Sequence, residues 1–325
     1  MSVSPSTHRL SQYYAVVNRD DKTACRGSSV IEDPEEFYSM IFDNYINQDI
    51  GNVLHYLDVV PSNHEKTYRR LWFDLDYHST NKSEVEALYN NDLVNRLIAK
   101  LGTVSTKYFN MDEKDLYIVT TRKPVSPKEY KHGPEHSFGM HVYTNMFVKG
   151  EYLPMLYNLL LSDDEIRIYT RQLRVSFTEF VDKSVIGNPH KNNGSMFLGC
   201  SKDESLSQYK LYKFYANNAG WQSIQESNDE LTRTFFNQTL LNYPSTLDQF
   251  ADSINAELFD NLKKNCNFRL YYKRLSNATK QEIQDATTMH DIKEKGCVVP
   301  MLMLMTLPPQ RDLYHCGATL RTKGG

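Results

Sequence analysis

Leu71-Trp72-Phe73-Asp74-Leu75-Asp76-Tyr77 sets two carboxylates two residues apart inside an otherwise apolar run. In an extended strand, side chains alternate between faces, so Asp74 and Asp76 share one side. Leu71, Phe73, Leu75 and Tyr77 then line the other side, ready to pack on a core. Two acids on a largely buried strand are costly unless something neutralises them. A divalent cation does so, because Mg²⁺ is typically held by one or two carboxylates together with substrate phosphates.

The pattern on either side of this strand alternates helix and strand. Asp33-Pro34-Glu35-Glu36 reads as a helix start with acids in its first turn, leading into Phe37 to Ile46. Residues 53–60 and 68–78 read as strands. The spacing of Val85, Leu88, Leu93, Leu97, Ile98 and Leu101 predicts one helix over 83–102. Strands are expected at 116–121, 138–148, 177–186 and 209–215, and helices at 152–161 and 163–174. The stretch 123–135, with its Pro, Gly and His residues, is expected to be a loop. Beyond Asn228 the pattern turns helical, over 230–241, 245–264 and 279–294. These elements predict an α+β core over residues 1–225, followed by a mainly helical region over 226–325.

Composition narrows the function classes. The chain has 325 residues, a net charge of −3 and a charged fraction of 24%. No global positive field draws it to nucleic acid, so any such contact needs a local patch. The five cysteines are scattered, with no CxxC pair, which fits reduced intracellular thiols. A zinc site from Cys266, Cys297, His315 and Cys316 fits no finger spacing. The apolar run 298–307 is too short to span a bilayer, so no membrane association is expected. The N-terminal stretch is polar, and the last five residues carry no closing element, as in a piece of a longer polypeptide or in a natural tail.

Three later segments bear on the acid pair. Ser137-Phe138-Gly139-Met140-His141 puts a histidine two residues after a glycine in a β-type run. By itself His141 reads as a satisfied strand histidine or as a phosphate donor. Val181-Asp182 supplies a third carboxylate after bulky apolar residues. Gly199-Cys200-Ser201-Lys202 follows a polar loop.

In order, these motifs resemble the archaeo-eukaryotic primase superfamily: Asp-x-Asp, small-x-His, apolar-Asp, then Gly-x-x-Lys. The similarity is greatest to primase–polymerase domains of large DNA viruses and covers about residues 50–205. The resemblance implies a central antiparallel sheet of RNA-recognition type. It assigns Asp74, Asp76 and Asp182 to catalysis and to two divalent cations, Mg²⁺ or Mn²⁺. It assigns His141, Lys202 and Gly139 to the incoming nucleotide. Gly139 stands where the family usually carries Ser, and an arginine common before the lysine is missing, which leaves Arg69, Arg70 or Arg122 for the phosphates; Arg70 is taken as the candidate. The implied activity is DNA-directed nucleotidyl transfer on a single-stranded DNA template in DNA replication, with NTP or dNTP substrates. A helicase domain downstream and an intracellular location, host cytoplasm or nucleus for a viral protein, go with it.

Two other readings compete. Asp-x-Asp ending a strand also holds Mn²⁺ and a sugar nucleotide in glycosyltransferases. A catalytically inactive nucleic-acid-binding module is the second. Tyr209-Lys210-Leu211-Tyr212-Lys213-Phe214-Tyr215 with Trp221, and Phe268-Arg269-Leu270-Tyr271-Tyr272-Lys273-Arg274, interleave aromatic and basic residues as single-strand binders do. The bland alternative for both is an amphipathic element with an aromatic core and a basic rim. The Met301–Met305 run reads as core or interface.

Overall fold

The computed structural model describes residues 13–16, 28–30, 33–47, 56–59, 68–130, 133–186, 194–200, 208–225 and 229–260. Lys202, Cys25, Cys266, Cys297, His315, Cys316, the 268–274 motif, the methionine run and the expected helix 279–294 lie outside these residues. Among the described residues, no helix is long and apolar enough to cross a membrane.

The acid-bearing segment forms strand β4 (Tyr68–Ser79). It pairs antiparallel along most of its length with β7 (Gly133–Lys149), a 17-residue strand that is the spine of the larger sheet. Because β4 covers one edge of β7, three short partners share the other. They are β6 (Ser126–Tyr130), β5 (Tyr117–Arg122) and, in parallel, β11 (Gln249–Phe250). Beyond β5 come β9 (Lys210–Ala216) and its hairpin partner β10 (Gly220–Ser223). The central spatial order is therefore β9-β5-β7-β4.

Helices α2 (Lys82–Tyr89) and α3 (Asp92–Tyr108) link β4 to β5. Helices α4 (Leu153–Ser162), α5 (Asp164–Leu173), α6 (Phe177–Phe180) and α7 (Lys183–Ile186) fall between β7 and β9. The architecture is thus α+β: an antiparallel sheet in the order β9-β5-β7-β4, with helices between its strands. A smaller sheet joins β1 (Tyr13–Val16), β2 (Ser28–Val30), β3 (Tyr56–Val59) and β8 (Ser195–Met196) in the order β2-β1-β3-β8.

Several expected elements differ. The single helix over 83–102 is two helices, because the Asn91 side chain accepts from the Leu93 N–H and caps a new start there. The expected loop 123–135 contains β6, which folds back on the first turn of β7. The expected strand 177–186 is α6 and α7. Phe177 and Phe180 are both buried at helical spacing, and only Val181, between the two helices, pairs as a strand residue, bridging Leu75. The helix expected from 245 begins only after Ile254, and its first part supplies β11 instead.

One side of the larger sheet packs through Phe138 against Phe180 and Tyr89. Gly102 of α3 lies so close to the sheet that a Cβ there would sit 2.8 Å from Leu116 and 2.9 Å from Ile118. The other side carries Val119 and Leu211. There they join a buried cluster with Phe37, Tyr38, Ile41 and Phe42 of α1 (Pro34–Asn47) and with Phe235 and Phe236 of α8 (Asp229–Asn237).

The chain divides into two compact units, residues 1–254 and 255–325. Helix α8 and strand β11 belong to the first of these units. A buried ion pair ties them there. Arg70 of β4 reaches Asp248, and its guanidinium also donates to the carbonyls of Leu240, Thr144 and Tyr243.

Asp58 of β3 is a second buried anchor in this unit, accepting from the Leu241 N–H and the Asn242 side chain. Burial pushes its carboxyl up to about 7, against the opposing pull of those donors and of Arg70. The fold therefore binds this proton more tightly than the unfolded chain, and the contribution to stability is full below the ordinary carboxylate range. It is lost as pH rises from about 4 to 7, at up to about 1.4 kcal/mol per pH unit. Denaturant melts across that range should show wild-type stability falling relative to Asp58→Asn. Parallel pH profiles for the two proteins would exclude this.

Candidate active site

The register of β4 on β7 decides what faces what. Asp74 pairs with His141 and Asp76 with Gly139. His141 in turn pairs with Thr121 of β5. Directly opposite residues project to the same face. On the outer edge of β4, Val181 bridges Leu75, and the Asp182 N–H donates to the Asp74 carbonyl at 2.8 Å. That pairing sets Asp182 across from Asp74. One row on a single face of the sheet therefore reads Thr121, His141, Asp74, Asp182. The next row reads Lys123, Gly139, Asp76, since the Lys123 N–H donates to the Gly139 carbonyl at 3.2 Å.

His141 is held on all sides. Its Nδ1 lies 3.0 Å from the Tyr143 hydroxyl and 3.2 Å from Ser195 Oγ, so that side of the ring is occupied by two hydroxyls. Its Nε2 is thereby turned to Asp74 Oδ1, 3.6 Å away. Tyr209 stacks on the ring at 3.8 Å between centroids and Trp72 meets it edge-on at 5.2 Å. Only 4% of the residue is exposed. Burial and the nearby Asp74 and Asp76 hold the Tyr209 phenol well above its ordinary range, so it stays a neutral lid. Tyr143 is likewise pushed up by burial.

The two strand acids remain partly open. The Asp74 and Asp76 side chains are 20% and 35% exposed, although Asp74 Oδ1, the oxygen facing His141, is itself buried. Asp182 stands beside them by its backbone, but its carboxylate accepts from the Ser184 N–H at 2.7 Å and the Ser184 hydroxyl at 2.6 Å. It thus serves as the cap of α7. Among the described residues no three His, Cys, Asp or Glu side chains are gathered into a metal-binding group. The donor set still suits a hard divalent cation, because carboxylate oxygens from neighbouring positions on one face are what Mg²⁺ and Mn²⁺ take.

The basic residues sort differently from expectation. Arg70, expected to bind the nucleotide, is fully buried and its guanidinium is engaged by Asp248, Gln238 and three carbonyls. It also lies about 13 Å along the strand from Asp74 at the usual rise per residue, past a bulge between Arg70 and Trp72. Arg69 is 2% exposed and donates to the Val185 carbonyl at 3.0 Å, tying α7, and with it Asp182, to β4. Burial lowers its guanidinium to about 10. Arg122 is exposed and lies over the rings of Tyr212 and Tyr89, at 4.3 and 5.6 Å, on the face away from the acids.

The basic side chain that does reach an acid is Lys123, with Nζ 3.9 Å from Asp76 Oδ1. In the sequence it is the first residue of an expected loop. The available signal was the glycine at 139, which only the β5–β7 register connects to Lys123. Gly199 has its own structural task. Its φ of 75° lies in the left-handed region and a Cβ would sit 3.0 Å from the Tyr45 backbone. Its carbonyl accepts from Asn44 and Gln208.

Residues 61–215 match the model of the C962R protein N-terminal AEP domain, AEP denoting archaeo-eukaryotic primase. That span contains the acid strand, its β7 partner, Lys123, Asp182 and Tyr209. No curated protein matches the chain.

Proposed function

Residues 61–215 are a domain of the archaeo-eukaryotic primase superfamily, and from that premise we propose that the chain is a primase–polymerase that joins nucleotides on a single-stranded DNA template. One observation carries the proposal. Three acids and a histidine stand on one face of a sheet, in adjacent rows, at the edge of a buried aromatic floor. Divalent cations bound there would activate the attacking 3′-hydroxyl and offset charge on the departing pyrophosphate.

Each residue has a distinct part in that reading. Asp74 and Asp76 supply the cation ligands from β4. Asp182 would complete the set from the strand edge, with its carboxylate released from Ser184. His141 offers Nε2 to a phosphate oxygen, its ring fixed by Tyr143, Ser195 and Tyr209. Lys202 would extend the phosphate contacts, and Gly139 makes room for the Lys123 side chain beside Asp76. No covalent protein intermediate is required, since in-line displacement needs only positioning and charge stabilisation.

A labelled-nucleotide assay on single-stranded DNA tests this, with and without a primer and with Mg²⁺ or Mn²⁺. Template-dependent extension with either NTP or dNTP is expected, abolished by chelation. Thermal shift adds a second arm. Stabilisation by UDP-sugars but by no dNTP or NTP would overturn the reading in favour of sugar transfer.

A further inference from the structure

We propose that Lys123 is a phosphate-binding cation of this site, delivered across the sheet through a notch that exists because residue 139 is glycine. The inference rests on the nucleotidyl-transfer reading and adds to it a residue that the motif pattern does not include.

The notch is visible in the packing. A Cβ built on Gly139 would lie 2.2 Å from Cε, 2.8 Å from Nζ and 2.9 Å from Cδ of Lys123. The lysine stem therefore occupies the volume that any larger residue would take. The backbone beneath is pinned: the Tyr89 hydroxyl donates to the Lys123 carbonyl at 2.7 Å and accepts from the Gly139 N–H at 3.1 Å. From this fixed start the side chain runs along its own row, over Gly139, to Asp76. The ammonium ends 5.9 Å from the Tyr209 ring centroid, next to the same ring that stacks on His141.

Charge decides what the ammonium does there. Beside the bare acids it offsets their mutual repulsion. A cation bound at Asp76 would compete with the lysine for that carboxylate and free the ammonium for the phosphate tail of a nucleotide. A lysine acts on phosphate as a mobile point charge, so a short movement from Asp76 suffices. A hydroxyl-bearing residue at 139 and a lysine at 123 compete for one volume. In this chain the lysine holds it.

Equilibrium binding of labelled dATP with Mg²⁺ and no template, compared with dAMP, reads the role without turnover. Lys123→Met keeps the stem over Gly139 and removes the charge. It is expected to weaken dATP binding about 10- to 100-fold, as loss of one charged hydrogen bond does, with a much smaller effect on dAMP. Gly139→Ser, which displaces the stem, should weaken dATP similarly, and the double variant should be no weaker than Lys123→Met alone. Unchanged dATP affinity in Lys123→Met, or additive losses in the double variant, would overturn the inference. Failure of the wild type to bind any dNTP or NTP with either metal would instead overturn the primase–polymerase reading.

Discussion

Asp74→Asn should reduce metal-dependent nucleotide incorporation by about 10²- to 10³-fold, the scale on which losing one preorganised electrostatic contact to the transition state is felt. The substitution keeps the shape of the side chain and removes only charge and one metal-binding oxygen. Its neighbours explain why the fold should survive. Asp74 shares a face of β4 with Asp76, so one negative charge fewer relieves repulsion between the pair. The melting temperature should stay level or rise, as happens when a strained functional site is neutralised. Asp76→Asn should behave alike, with the further effect that Lys123 loses its ion-pair partner. Substantial activity in either variant, measured by primer extension with saturating Mg²⁺, would remove these acids from the catalytic role.

The second large effect is on stability. Arg70→Ala leaves Asp248 as an uncompensated charge in a fully buried pocket. It also orphans the carbonyls of Leu240, Thr144 and Tyr243, which the guanidinium now satisfies. Breaking a buried pair by removing one partner costs about 3–5 kcal/mol. For a unit of this size that lowers the melting temperature by about 10 °C or more. The segment after Asn237 should loosen first, because Arg70 is what fastens it to β4. Arg70→Met combined with Asp248→Leu should recover part of the loss, since an apolar pair of similar volume leaves no stranded charge. A variant at Arg70 that melts like the wild type but loses nucleotide affinity would return this residue to the substrate site.

Both expectations depend on features of unequal visibility in the sequence. The acid pair is legible because its information is local. Strand alternation needs no partner to say that Asp74 and Asp76 share a face, and the apolar residues between them state that the other face is buried. The α+β class is legible for the same reason, from period changes along the chain. Asp182 is only half legible. Its place in the motif order is plain, but Phe177 and Phe180 obey a helical period, and only the Leu75–Val181 bridge restores a strand contact. Without that bridge nothing in the sequence says which neighbour the third acid faces.

Arg70 and Lys123 mark where local reading ends. Arg69-Arg70 beside an acidic motif reads as a substrate-binding pair, because the sequence does not display a partner 178 residues away. Asp248 lies in a stretch that reads as helix, and folding turns it into a buried counter-ion instead. Lys123 is the opposite case. It reads as a loop residue, yet hydrogen bonding between Lys123 and Gly139 lines the lysine up with the acids.

The sequence by itself determined the acid-bearing strand, its alternation, the order of the motifs and hence the superfamily, because each rests on residue types at short spacing. The tertiary structure alone decided which cations are buried in the fold and which stands beside the acids. It placed Arg70 in a closed ion pair, gave Asp182 to the cap of α7, and carried Lys123 over Gly139 to Asp76. The physical reason is that a charge takes its role from the partner and the dielectric around it, and both come from residues distant in the chain.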